Sequence, residues 1–185
     1  MSEEIYISVD VETAGPIPAE YSLLSIGACV VGDPSRSFYV ELKPDREAFS
    51  DEALAVHGLS LDKLKNDGLV PQAAMQQFAD WVKGLVGKDQ RAVFVALNAP
   101  FDWMFVNDYF HRYLGSNPFG HSALDIKAYF MGKTGVEWGE TSMKHMSRHL
   151  LEERRLTHNA LAEAQDQAEI FALILQQLPS NFESE

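Results

Sequence analysis

The chain has 185 residues, 46% of them hydrophobic and 23% charged, which suits one well-packed domain and is short for two. No apolar run reaches the roughly eighteen residues of a membrane span, and the acidic start Met1-Ser2-Glu3-Glu4, leading straight into a strand pattern, is unlike a signal or transit peptide. A net charge of −12 excludes the broad basic footprint of a protein that clamps long duplex nucleic acid, and the single Cys29, between Ala28 and Val30, reads as a core residue in a reducing, cytoplasmic setting.

The first half of the chain reads as strands: Ile5 to Val9, Leu24 to Val31, and Ser37 to Leu42 after a Gly32-Asp33-Pro34-Ser35 turn. Each is rich in β-branched or aromatic residues and bounded by Gly, Pro, Asp or Ser, the pattern of an antiparallel meander. Ser50 or Asp51 caps a short helix through Val56 that stops at Gly58, and Ser60 begins another through Leu64. Pro71 opens a longer helix with Ala74, Met75, Phe78, Trp81, Val82 and Leu85 at helical spacing. Ala92 to Leu97 is a continuous apolar run, suited to a strand buried on both faces. Helices follow at Phe101–Leu114, Asp125–Met131, Ser142–Leu151 and Asn159–Leu178; Pro179 ends the last, and the tail from Ser180 to Glu185 reads as frayed. There is no repeat, low-complexity tract or linker, so residues 1–185 read as one α/β domain with its core over about residues 5–178.

Three places along this pattern carry acids at element boundaries. Asp10-Val11-Glu12-Thr13 follows the first strand run, and side chains one residue apart on an extended chain lie on the same side. Two carboxylates so placed repel each other unless a cation sits between them; the plain alternative is a solvated pair at a turn. Asn98-Ala99-Pro100-Phe101-Asp102 follows the buried strand, where α/β sheets collect ligand chemistry; alternatively, Asp102 only favours the first turn of a helix. His158 stands at the entrance of the last helix, five residues before Glu163, either as a catalytic group or as an exposed helix-start residue. Between Lys127 and His158 the chain also concentrates cations (Lys127, Lys133, Lys144, Arg148, Arg154, Arg155) and histidines (His145, His149, His158) that suit phosphates or merely a solvated helical face.

These motifs, in this order and spacing, resemble the DEDDh group of the DnaQ-like 3′–5′ exonucleases. Ala55-Val56-His57-Gly58-Leu59-Ser60 is similar to the V-H-G-I-T signature of the proofreading and RNase T branches, and Ser25-Ile26-Gly27 to the S-I-G of their second strand. The similarity covers roughly residues 5–175. It implies an RNase H-like mixed five-stranded sheet, three antiparallel N-terminal strands plus parallel strands, flanked by helices. It further implies that Asp10, Glu12, Asp102 and Glu163 hold two Mg²⁺ or Mn²⁺ ions, hard cations that four oxygen donors suit better than zinc. His158 is then the general base. Thr13, Leu59, Asn98 and Phe101 fall at substrate-binding positions for a single-stranded 3′ end, Leu59 and Phe101 having core packing as their alternative. Homodimers are common in such proteins, and the short stretch after Leu178 favours free-standing action.

Two departures stand out. The family's last metal-binding residue is an aspartate, and here the position is Glu163, one methylene longer. Either the site adjusts, or Asp166 substitutes, or activity is reduced and the fold serves as a nucleic-acid or protein binding module. The second motif has Leu97 where a histidine is common, read as a packing difference.

Overall fold

Period-two alternation along Glu3–Thr13 (β1) sends Ile7, Val9 and Val11 into one core and Tyr6 into another, so this strand is buried on both faces and takes the centre of the sheet. The computed structural model describes residues 3–150 and 159–177, the side chains of 147–150 and 177 excepted. Beside β1 on one side lie the antiparallel strands Leu23–Val30 (β2) and Asp33–Glu41 (β3); on the other, Gln90–Ala96 (β4) and Ala123–Asp125 (β5) run parallel to it. The order is β3-β2-β1-β4-β5.

Helices cover both faces. Pro71–Leu85 (α3) and Ala99–Leu114 (α4) pack on the larger core, where the Phe78 ring stacks 5.1 Å from Phe38 and 5.5 Å from Phe110. The opposite face joins Val95 to Ile126 and Phe130 of Ile126–Thr134 (α5), Met146 of Met143–Leu150 (α6), and Ile170, Phe171 and Ile174 of Ala160–Gln177 (α7). Two short helices, Asp51–His57 (α1) and Leu61–Asp67 (α2), sit between β3 and α3 in sequence, capped by Ser50 and Ser60 as the pattern predicts. Among the described residues no helix is long and apolar enough to cross a membrane.

Beyond shifts of a few residues at other element ends, four differences from the sequence-based reading stand out. β1 runs on through Thr13, so Asp10 and Glu12 lie within the strand rather than past its end. β3 begins at Asp33, not Ser37; Pro34 is tolerated because β3 is an edge strand with no ladder partner on one side. α4 begins at Ala99, with Pro100 in its first turn, where a missing N–H costs nothing. β5 has three partly exposed residues, too few to register as a run. His158, Arg154, Arg155, Leu178, Pro179 and the tail through Glu185 lie outside the described residues, as does the side chain of Arg148.

Gly27 fixes how closely α7 approaches the sheet. It pairs with Asp10 in the β1–β2 ladder, and a Cβ on it would stand 2.1 Å from the Ala160 carbonyl carbon and 2.2 Å from the Leu161 nitrogen. Both are backbone atoms at the start of α7 and have no rotamer by which to yield. Gly27→Ala is therefore expected to push α7 off β1, costing about 1–3 kcal/mol of stability by overpacking and lowering activity. Chemical denaturation beside a nuclease assay checks both.

Candidate active site

The site forms where β1 outlasts its parallel neighbour. β4 pairs with β1 only as far as Ser8↔Val95 and ends at Ala96, which leaves the distal edge of β1 open on that side. α4 fills the gap: buried Asp102 accepts the Val11 backbone N–H at 3.1 Å through Oδ1. Asp10 and Glu12 alternate with the core residues Val9 and Val11, and so face α7. From α7, the Gln167 amide donates to Asp10 Oδ1 at 2.7 Å.

Electrostatics links four carboxylates from these three elements. Burial first, then the charges of Asp102, Glu163 and Glu12, hold Asp10 well above the ordinary carboxylate range, against the pull of the Gln167 hydrogen bond. Burial and then Glu163 push Glu12 up to about 7. Asp102 is raised chiefly by burial, against the Val11 N–H and with help from Glu12 and Glu163. Glu163 thus acts on all three partners, whereas Asp166 is not among the charges that raise any of them. Among the described residues no three acidic or histidine side chains have closed into a ready-made metal cage. The donors that meet here are all hard carboxylate oxygens, the set that fits a divalent cation such as Mg²⁺ or Mn²⁺.

The remaining predicted residues are Thr13 at the end of β1, Leu59 just past α1, Asn98 before α4 and Phe101 within it. Thr13 is buried where the β1–β2 register shifts between Glu12 and Thr13, and its hydroxyl donates to the Gly15 carbonyl at 2.9 Å. Leu59 is half-buried in a small cluster with Ala14, Leu24 and Leu64. Phe101 is half-buried against the core, its ring 5.5 Å from Phe105. Asn98 is exposed in the left-handed region (φ 65°), and its side chain makes no bond to the helix it precedes. Asp125 caps that helix instead, accepting the Ala99 N–H at 2.6 Å while also capping α5 through the Ala128 N–H at 2.7 Å. The catalytic candidate His158 lies outside the described residues.

Two residues with no role read from the sequence help build the site. His57 accepts the Leu59 N–H at Nδ1 (3.0 Å), so its proton sits on Nε2, which donates to the Thr13 carbonyl at 3.3 Å. Gly58, left-handed at φ 65°, makes the turn that brings the ring back to β1. The V-H-G-L stretch is the signal that marks this clamp. The other is Gln167, whose place nine residues past His158 gives no sign of its contact with β1.

The RNase_T exonuclease family model matches residues 7–171. The chain belongs to the RNase_T exonuclease family. It is 51% identical over 172 residues to the 3′-5′ DNA exonuclease Cap18 of Escherichia coli, covering 93% of this chain and 92% of that protein. In fold it is similar to the nuclease domain of 3′hExo, a DEDDh family member solved with rAMP bound (TM-score 0.78, 16% identity, 97% of each chain). It is also similar to Escherichia coli ExoI, solved as a zinc-bound complex with single-stranded DNA (TM-score 0.71, 19% identity, 95% of this chain), although it spans only 41% of that protein. The RNase H-like sheet and the DnaQ-like kinship read from the motifs are thus borne out.

The raised carboxylates set the pH dependence of stability. A folded site that keeps protons which the unfolded chain has released is favoured at low pH, and the advantage is lost as pH rises through the folded pKa. For Glu12 the window runs from its ordinary 4.5 to about 7. In EDTA the unfolding midpoint is expected to fall between about pH 5 and pH 8, and added Mn²⁺ to raise it more at the upper end. Thermal unfolding across that range tests both trends.

Proposed function

We propose that this exonuclease shortens single strands from the 3′ end, releasing 5′-mononucleotides, with Asp10, Glu12, Asp102 and Glu163 holding a pair of Mg²⁺ or Mn²⁺ ions. The observation that carries this reading is that β1, α4 and α7 meet at one sheet edge, where Asp102 accepts the Val11 N–H, Gln167 of α7 holds Asp10, and the Glu163 charge acts on Asp10, Glu12 and Asp102. When bound, such cations activate a water and neutralise charge building on the phosphate. His158 takes the proton of the attacking water, a role its ordinary pKa near neutrality suits. The bond from phosphorus to the 3′-oxygen of the penultimate nucleotide breaks, and that oxygen gains a proton as the new end.

Thr13, Leu59, Asn98 and Phe101 position the terminal nucleotide. The Leu59 and Phe101 side chains offer apolar surface to bases of any sequence, and Asn98 offers an amide not used on its own helix. Identity to a DNA exonuclease favours DNA over RNA as the substrate. The net charge of −12 fits an enzyme that engages strand ends rather than long polymers, acting in the reducing cytoplasm and, by family resemblance, as a homodimer.

Asp10→Ala is the decisive variant. It is expected to lose at least about a hundredfold in turnover, since one metal-holding carboxylate supports several kcal/mol of transition-state stabilisation. Mn²⁺-dependent release of mononucleotides from an unstructured oligonucleotide is the assay, and an Asp10→Ala protein as active as the parent would refute the assignment.

Glu163 is the observation that favours a second reading, a weakened nuclease that binds without turning over. Glu163→Asp separates the two. If Glu163 serves as a competent ligand, the parent turns over readily and the variant changes by less than about tenfold, within one pKa-unit equivalent of free energy. A jump from negligible to strong turnover in the variant favours the binding module.

A further inference from the structure

We propose that Gln167 is a positioning residue, whose side-chain amide sets which oxygen of Asp10 is presented to a cation; this rests on Asp10 being a cation-holding carboxylate, as proposed above. Gln167 lies on α7 one turn past Glu163 and is 3% exposed. Its Oε1 accepts the Leu97 backbone N–H at 2.9 Å, and its Nε2 donates to Asp10 Oδ1 at 2.7 Å.

The amide has no freedom to flip. A backbone N–H can only donate, so the Gln167 oxygen must face Leu97 and the NH₂ must face Asp10. Asp10 Oδ1 is thereby engaged as an acceptor, and Oδ2 is the oxygen this amide leaves to other partners. One side chain on α7 thus ties β1 to the residue just past β4. Leu97 takes part through its backbone N–H, which any residue but proline would supply.

A neutral amide also suits the electrostatics. It orients a carboxylate without cancelling the negative charge that attracts a cation, as Lys or Arg would. A carboxylate at this position would face Asp10 as a further like charge. Asparagine, a methylene shorter, cannot span both partners, and an apolar residue removes the partner of two part-buried polar groups. Groups that hydrogen-bond to cation ligands typically govern affinity or activity by about 10- to 100-fold.

Gln167→Met and Gln167→Glu test this, read by Mn²⁺ titration calorimetry, steady-state kinetics on an oligothymidylate, and unfolding in EDTA. Methionine keeps the volume and removes both bonds; glutamate keeps an acceptor for Leu97, removes the donor to Asp10 and sets a like charge against it. The expectation for Gln167→Met is a Mn²⁺ affinity lower by about tenfold and a kcat lower by about 10- to 100-fold, with KM changed by less than about twofold. Gln167→Glu is expected to lose kcat to a similar degree although the Leu97 bond survives. Either variant retaining parental kcat overturns the proposal and leaves Gln167 as a packing bridge, even where the unfolding midpoint drops. Should Gln167→Met fail to fold, the kcat of Gln167→Glu decides alone. A parent protein that neither binds Mn²⁺ nor cleaves the oligonucleotide undermines instead the reading of Asp10, a separate failure.

Discussion

Gathering several negative charges in a space with little water is the constraint around which this molecule is built. Burial raises the cost of ionising Asp10, Glu12 and Asp102 alike, and neighbouring charges add to it: Asp102, Glu163 and Glu12 on Asp10, Glu163 on Glu12, and Glu12 and Glu163 on Asp102. The donors that hold Asp10 and Asp102 are both neutral amides, the Gln167 side chain and the Val11 backbone. Neutral donors fix the direction of a carboxylate while preserving its charge. Without a cation this crowding favours proton uptake; a hard cation relieves it instead, whereas a local lysine or arginine would have cancelled the charge that attracts one.

Repulsion of this kind drives its members apart unless something rigid opposes it, and here the opposition comes from the apolar layers. β1 is held between β2 and β4 with fully buried Ile7 and Val9, so its carboxylates ride on a strand that cannot retreat. α4 is locked by Phe105, Val106, Tyr109 and Phe110 against the same core, and Asp102 sits in its first turn. α7 is pressed onto the other face by Ile170, Phe171 and Ile174, and the absent side chain of Gly27 lets its first turn come down onto β2. The packing energy thus resides in residues that never touch substrate, and it is what keeps the acids together.

The same arrangement explains why the rim is built from loops and helix ends. Past Ala96 the parallel neighbour of β1 is gone, so backbone groups there are satisfied by side chains: Val11 by Asp102, Leu97 by Gln167, Ala99 by Asp125. His57 does the like for the Thr13 carbonyl from the opposite side.

What the sequence by itself determined was the set of elements and the acids on them. Strands and helices announced themselves because burial imposes a period of two or 3.6 on apolar residues, and Ala92–Leu97 was legible because a strand covered on both faces needs no alternation. Asp10, Glu12, Asp102 and Glu163 were legible through motif spacing and family resemblance. What only the tertiary structure decided was which surroundings these residues share. Chain order gives no sign that β1 outruns β4, that Gln167 reaches across to Asp10, or that Asp125 caps a helix 26 residues before it. The physical reason is that local pattern records only how a residue meets its own element, while the charge and hydrogen-bond environment of a site is made by segments far apart in the chain, whose meeting depends on how whole faces pack.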